Sequence, residues 1–333
     1  MENGNILKDG GSGPLEVEKV PASSELSEAE KVLGSLPTSF KDFRREVEKE
    51  NIDSGLGKIA EKYGYGEELK EMLEVAVPKI AEYYDNSETV LKVLDNCPIF
   101  MVEAGKNSSE AADEYFGTSE QMPTRASGGA SVIPKIMEDG QIEVKRGIFL
   151  RSNYKNGLQT LVHEVCHQVA SVDKKPSLES DGRIRIDIGL SSEYYAQDEG
   201  GEAKMVESKR EFLEEMANAY DTEMIMKSIE GDEFKSSEYG VLRDIAYRCP
   251  VDVISKLKQL RVRGNYAESP VKQEGLERAS QAMDGIMNVP RKIFLSRRMA
   301  GGDAEKARII QREMDQRNFD EAVKSLTLWG ERA

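Results

Sequence analysis

The chain contains only two histidines, His163 and His167, in 333 residues, and Glu164 directly follows the first. On an α-helix, side chains four residues apart share one face, so both imidazoles can bind a single metal ion. The carboxylate between them lies beside that pair, where it can take a proton from a water molecule that the metal activates. The spacing therefore predicts a zinc site with Glu164 as general base.

The residues around this motif have the periodicity of an amphipathic helix. At about 100° per residue, one side of the helix carries a stripe of apolar residues: Leu158, Leu161, Val162, Val165 and Val169. The two histidines and Glu164 fall on the opposite side. We predict a helix over about residues 158–171 that packs its apolar stripe into a core and turns its polar side towards a cleft.

A catalytic zinc ion normally has three protein ligands, so the chain should supply one more. We predict Glu211 as this ligand, because Glu211 and Glu215 share one face of a later helix at i, i+4. Glu215 would then accept a hydrogen bond from the distal nitrogen of a ligating histidine and fix its tautomer. Asp173 is the alternative ligand, six residues after His167, as in metzincin-type sites, although the turn glycine of those sites is Ala170 here.

The segments LVHEVCHQVASVD, SSEYYAQ and REFLEEMANAY resemble the catalytic domain of the anthrax lethal factor family. The resemblance covers about residues 125–225. It implies a gluzincin-like zinc endopeptidase in which His163, His167 and Glu211 bind Zn²⁺, and it places Glu215 beside a ligating histidine. It also implies a bacterial toxin or secreted effector that acts on a protein of a host cell.

A tyrosine precedes the ligand helix in that family. The resemblance therefore implies that Tyr195 stabilises the oxyanion or the transition state, with Tyr194 as the alternative. Two other functions remain open at the level of sequence: a zinc hydrolase that does not cleave proteins, and a catalytically inactive zincin-like module that binds a partner.

The patterns along the chain predict an α+β fold, with a zincin-like catalytic domain between two helical regions. The domain would combine a small mixed sheet with the active-site helix. The predicted parts are a disordered leader at 1–36, a helical N-terminal region at 37–88, the catalytic domain at 89–230 and a helical C-terminal region at 231–333.

Strands are predicted between the N-terminal helices and the histidine motif. Short β-branched and aromatic runs flank Asp139-Gly140, a typical hairpin turn. The run GIFLR at 147–151 is a candidate edge strand on which an extended peptide could pair. A further strand is predicted in GRIRIDIGL, and a helix over about residues 208–229.

Composition excludes several classes of protein. The formal net charge is −15, which disfavours binding to nucleic acid, and no apolar run reaches the ~18 residues of a membrane span. The chain has three cysteines, a small and odd number that disfavours a disulfide scaffold. The N-terminus lacks a standard secretory signal. We expect synthesis in the cytoplasm, compatible with export into a host cell by a signal-peptide-independent route.

One segment near the C-terminus is positively charged, in contrast to the chain as a whole. Residues 291–302, RKIFLSRRMAGG, are basic with an apolar centre. Such a stretch is typical either of a helix that contacts a partner or a membrane surface, or of a helix that buries one face and extends its arginines into solvent.

Overall fold

A computed structural model describes residues 40–102, 108–116, 128–137, 139–151, 157–197, 203–236, 239–263 and 270–333. Within these residues the protein is a mixture of helices and two small sheets, which confirms the predicted α+β class. The predicted leader at 1–36 lies outside the described residues. No described helix has both the length and the apolar character needed to cross a membrane.

The described residues contain helices before, between and after the strands. The helices are α1 (Phe40–Tyr63), α2 (Glu67–Tyr84), α3 (Ser87–Asn96), α4 (Ser108–Phe116), α5 (Gly157–Val169), α6 (Glu211–Glu230), α7 (Gly240–Arg248), α8 (Val251–Arg263), α9 (Pro270–Met287), α10 (Val289–Met299) and α11 (Ala304–Arg332). The strands are β1 (Ile99–Val102), β2 (Gly128–Ile136), β3 (Ile142–Arg151), β4 (Ser177–Leu178), β5 (Ile184–Ile188), β6 (Ser191–Gln197) and β7 (Ala203–Lys209).

The first sheet has the order β1-β3-β2 and leads into α5, the helix of the histidine motif. Strands β2 and β3 form the predicted antiparallel hairpin, and Gly140 at its turn has a φ of 80°, which favours glycine. β1 pairs with β3 in parallel. The run GIFLR belongs to β3 and is therefore central, so the prediction that it forms a sheet edge is wrong.

The second sheet, β4-β5-β6-β7, is entirely antiparallel and leads into α6. The predicted strand in GRIRIDIGL corresponds to β5. The chain enters α6 through Arg210, whose φ of 60° turns the backbone sharply after β7. The side chain of Arg210 is nearly buried and donates hydrogen bonds to Leu190 O (3.0 Å) and Ser192 Oγ (3.0 Å), which fix this turn against β6.

Helix α5 is buried on all sides from Gln159 to Val169. Its apolar stripe packs into the largest hydrophobic core, together with side chains of α1, α2 and α3. Its polar side packs against α6. The predicted amphipathic helix is therefore confirmed, but its polar side faces another helix and not an open cleft.

Helix α6 connects the site to the C-terminal helices. Leu213 and Met216 lie in a second core with side chains of α7, α8, α9 and α11. The chain from Lys49 to Ala333 forms one compact unit, in which the predicted helical regions share their cores with the helices of the predicted middle domain, α5 and α6.

Candidate metal centre

Helices α5 and α6 run antiparallel across the site. Asn218 Nδ2 donates a hydrogen bond to His163 O at 2.9 Å, and His167 lies one turn further along α5, opposite Glu214. A step of four residues forward along α5, from His163 to His167, thus matches a step of four residues back along α6, from Asn218 to Glu214. This pairing brings both histidines against the first two turns of α6.

Three side chains converge at this point: His163, His167 and Glu215. The two Nε2 atoms lie 3.2 Å apart, and the Glu215 oxygens lie 3.3 Å from His163 Nε2 and 3.5 Å from His167 Nε2. A tetrahedral zinc site with bonds of about 2.0–2.1 Å has ligand atoms about 3.3–3.4 Å apart. The Nε2–Nε2 separation and both nitrogen–oxygen separations, measured from His163 to Oε2 and from His167 to Oε1, are close to this value.

The carboxylate of Glu215 has the properties of a metal ligand. Its Oε2 atom is buried and makes no hydrogen bond to any described residue, which is costly for a carboxylate oxygen unless a cation is near. Burial alone would raise the pKa of Glu215, but the adjacent His167 and His163 lower it well below its usual value. The ionised form that binds a metal is therefore favoured.

The outer nitrogens of both imidazoles are held by α6. His167 Nδ1 lies 3.0 Å from Glu214 Oε1, and His163 Nδ1 lies 3.5 Å from Thr222 Oγ1. Partners at Nδ1 orient the rings and leave Nε2 for the metal. Burial lowers the pKa of His167, but the charges of Glu215 and Glu214 outweigh burial and raise it to about 10.

Glu214 is itself tightly fixed. Oε1 accepts hydrogen bonds from Arg261 Nε (2.8 Å) and Nη2 (2.7 Å), and Oε2 accepts one from Leu190 N (2.7 Å). Burial raises the pKa of Glu214, but Arg261 and His167 lower it to about 2. Gly189 is required at this contact, because a Cβ there would lie 1.9 Å from Glu214 Oε2 and the residue has a φ of +55°.

Arg261, on α8, is the centre of a buried polar network below the histidines. Its side chain is fully buried, and Nη1 donates hydrogen bonds to Asp221 Oδ2 (2.6 Å) and Tyr84 OH (2.9 Å). Tyr83 and Tyr84 of α2 also donate to Asp221, at 2.5 and 2.8 Å. The network therefore ties α2, α6 and α8 together behind the site.

The predicted roles of the α6 glutamates must be corrected. Glu211 is the exposed first residue of α6, one turn away from the histidines, and Glu215 is the carboxylate that meets both Nε2 atoms. The hydrogen-bonding role predicted for Glu215 is filled by Glu214 instead. The reason is the register of α6 against α5, which places the second turn of α6, not its first residue, opposite His167.

The structure does not bring Asp173 to the site. Its side chain is exposed, and its Oδ1 lies 2.5 Å from Lys92 Nζ on α3. The chain turns away from the axis of α5 after Val169, which carries Asp173 to the surface. Asp173 is therefore not a ligand in this structure.

The hydroxyl of Tyr195 is engaged by other groups. It is buried and lies within hydrogen-bonding distance of Val132 O (2.7 Å) and Glu193 Oε2 (2.5 Å), and burial is the main reason that its pKa is raised well above the usual value. Tyr194 points to the other face of β6, against Arg183 and Lys209. The role that the family resemblance implies for either tyrosine has no support in this geometry.

A different aromatic side chain contacts the histidines. The ring of Tyr239, just before α7, stacks on His163 with centroids 5.9 Å apart and planes 15° apart. Tyr239 is 36% exposed, so it lies between the buried histidines and solvent. No local pattern predicts this contact, because it depends on how the segment after α6 folds back.

The sequence contains a partial signal for the residues that were missed on α6. In about the first three turns of α6, where the other residues are apolar, a polar stripe at helical spacing lies on one side: Glu211, Glu214, Glu215, Asn218, Asp221 and Thr222. Such a stripe on a helix with many buried residues indicates buried polar partners. Arg261 has no comparable signal, since it lies in a basic segment of ordinary appearance.

Comparison of the chain with protein-family models, with curated proteins and with solved structures gives no match.

Proposed function

We propose that the protein is a zinc-dependent endopeptidase with a zincin-like fold. The observation that carries this proposal is the convergence of His163 Nε2, His167 Nε2 and the Glu215 carboxylate, with separations of 3.2, 3.3 and 3.5 Å that are close to those between ligand atoms of a tetrahedral zinc site. The His163-Glu164-x-x-His167 motif supplies both a metal pair and a candidate base on one helix.

The proposed mechanism uses the metal as a Lewis acid and Glu164 as the proton carrier. When bound by His163, His167 and Glu215, zinc lowers the pKa of water and polarises a carbonyl oxygen. Glu164 is 8% exposed and directly follows His163, the first proposed ligand, on α5. It takes the proton from the attacking water and delivers it to the leaving amine.

The remaining residues position these groups. Glu214 and Thr222 hold the outer nitrogens of the imidazoles, and Arg261 holds Glu214. Preorganised ligands of this kind avoid the cost of ordering side chains during the reaction. Three protein ligands leave a coordination position for water and substrate, whereas structural zinc sites normally close with four. This favours a hydrolase over an inactive binding module.

A protein substrate is supported by the first sheet. β2 is an edge strand whose only described partner strand in that sheet is β3, and it packs against α5. Pro134 lies within β2, as expected of an edge. An edge strand beside the site can hold an extended peptide by strand addition, a role proposed here for β2 instead of β3.

Cleavage of an unfolded protein mixture tests this proposal. Zinc-loaded wild type and the Glu164→Gln variant are incubated with the mixture, and new N-termini are counted by mass spectrometry. We expect cleavage by wild type, about 10²–10⁴-fold slower cleavage by Glu164→Gln, and one bound zinc in both. Glu230→Gln, at the exposed end of α6, is the matched control. Equal rates for Glu164→Gln and wild type would contradict the proposed base.

A further inference from the structure

Helix α10 contacts α11 through polar side chains. Lys292 Nζ lies 2.6 Å from Asp315 Oδ1, and Gln311 Nε2 donates to Ser296 Oγ at 3.0 Å, so polar side chains attach α10 to α11. Ser296 is fully buried. A surface helix normally buries its apolar side and exposes its polar side.

Three large apolar side chains of α10 are nevertheless exposed. Val289 is 51% exposed, Ile293 37% and Phe294 64%. At 100° per residue Phe294 lies about 160° from Ser296, on the outer side of the helix, while Val289 and Ile293 lie within about 60° of Ser296 and border that side. Exposed large apolar residues gathered on one helix indicate an interaction surface, not scattered surface residues.

Arginines surround these apolar side chains. Arg291, Arg297 and Arg298 are exposed and, in the part of the chain that the structure describes, form no ion pair. Residues 289–312 contain seven Lys and Arg against two Asp and Glu, a net charge of +5, in a chain of net charge −15. We call the six side chains Val289, Arg291, Ile293, Phe294, Arg297 and Arg298 the α10 patch.

We propose that the α10 patch binds the surface of an anionic lipid bilayer. Helices that lie in a membrane interface combine bulky apolar side chains with Lys and Arg, because the apolar groups enter the acyl boundary while the cations contact lipid phosphates. The long stems of Arg297 and Arg298 allow their guanidinium groups to reach the headgroups while Phe294 inserts between them.

Charge complementarity favours lipid over a second copy of the chain. In a two-fold dimer, the patch would face an identical patch and bring its arginines together. An anionic bilayer instead offers a continuous negative surface that attracts basic residues. This electrostatic attraction decreases with distance from the membrane and is lost beyond about one Debye length. The acidic remainder of the chain would orient the protein with the patch towards the membrane.

Co-sedimentation of the full-length protein with vesicles tests this proposal. The vesicles contain phosphatidylcholine alone or phosphatidylcholine with about 30% phosphatidylserine, at about 0.05 M and about 0.5 M salt. We expect wild type to sediment with the anionic vesicles only, and less at high salt. Phe294→Ser and the double variant Arg297→Gln/Arg298→Gln should each bind at least about tenfold more weakly. Val251→Ser, an exposed apolar residue of α8 outside the patch, should bind like wild type.

Three results would overturn the proposal. The first is equal sedimentation with neutral and anionic vesicles. The second is binding that the Phe294 and arginine variants leave unchanged. The third is a lack of binding together with self-association, seen by analytical ultracentrifugation, that Phe294→Ser abolishes; the patch would then be an interface between copies. Circular dichroism of each variant separates loss of binding from loss of folding.

Discussion

Glu214 holds the imidazole of His167 in place: Oε1 of the carboxylate lies 3.0 Å from Nδ1, while Nε2 of the same ring lies 3.5 Å from Glu215. The two successive glutamates therefore act on the two nitrogens of one ring. Glu214 orients the ring through Nδ1, and Glu215 lies at Nε2, where the proposed metal would bind. Because Glu214 is fixed by Arg261, the geometry of the site depends on a residue from α8.

Removing the Arg261 side chain should strongly destabilise the protein. Arg261→Met leaves the buried carboxylates of Glu214 and Asp221 without their cation, and breaking a buried ion pair costs about 3–5 kcal/mol. The free energy of unfolding is measured by urea denaturation of the zinc-free protein. Arg278→Met, which breaks an exposed pair with Glu274, should cost at most about 1 kcal/mol. Similar losses for both variants would contradict the role of the buried network.

The Glu214 carboxylate should make stability depend on pH in acid. Its pKa is about 2 in the folded protein, against an ordinary value of 4.5. Between these values the unfolded chain binds more protons, so this contribution to stability is complete above about pH 4.5 and is lost as the pH falls towards about 2.

The prediction is measured as the difference in unfolding free energy between wild type and Glu214→Gln, both without zinc. This difference should shrink as the pH is lowered from about 4.5 to about 2. Glu230→Gln, at the exposed end of α6, makes the same chemical change away from the buried network and serves as the control variant. A constant difference for Glu214→Gln would show that its carboxylate is not preferentially ionised in the folded state.

Tyr195 and Tyr239 should differ in their effects on activity. Tyr195→Phe removes a buried hydroxyl that can donate to Val132 O or to Glu193, and should cost about 1–3 kcal/mol of stability with zinc content unchanged. Tyr239→Ala removes the ring stacked on His163 and should lower the peptidase rate or the zinc affinity, while Tyr239→Phe keeps the stacking. A loss of kcat in Tyr195→Phe, without loss of stability, would restore the role implied by the family resemblance.

The sequence is most informative where the chemistry is local. The i, i+4 spacing of the histidines and the apolar stripe of α5 predict that helix to within about two residues, and Asp139-Gly140 correctly predicts the β2–β3 hairpin. These features depend on near neighbours along the chain.

Local sequence patterns could not decide which glutamate of α6 lies beside the two histidines. Glu211 and Glu215 share a helix face, so either can reach a metal, and only the antiparallel register of α5 and α6 selects Glu215. Arg261 and Tyr239 reach the site through tertiary packing of α8 and of the segment before α7. Their roles carry no local sequence pattern, because the contacts join residues tens of positions apart.

Zinc content tests the central claim most directly. Purified wild type, Glu215→Gln and Glu211→Gln are reconstituted with zinc, dialysed, and measured by plasma mass spectrometry. The two variants make the same chemical change one helical turn apart on α6. We predict about one zinc per chain in wild type and in Glu211→Gln, and a large loss in Glu215→Gln, which removes one of three ligands. Wild type without zinc, or Glu215→Gln with a full equivalent, would contradict the proposed metal centre.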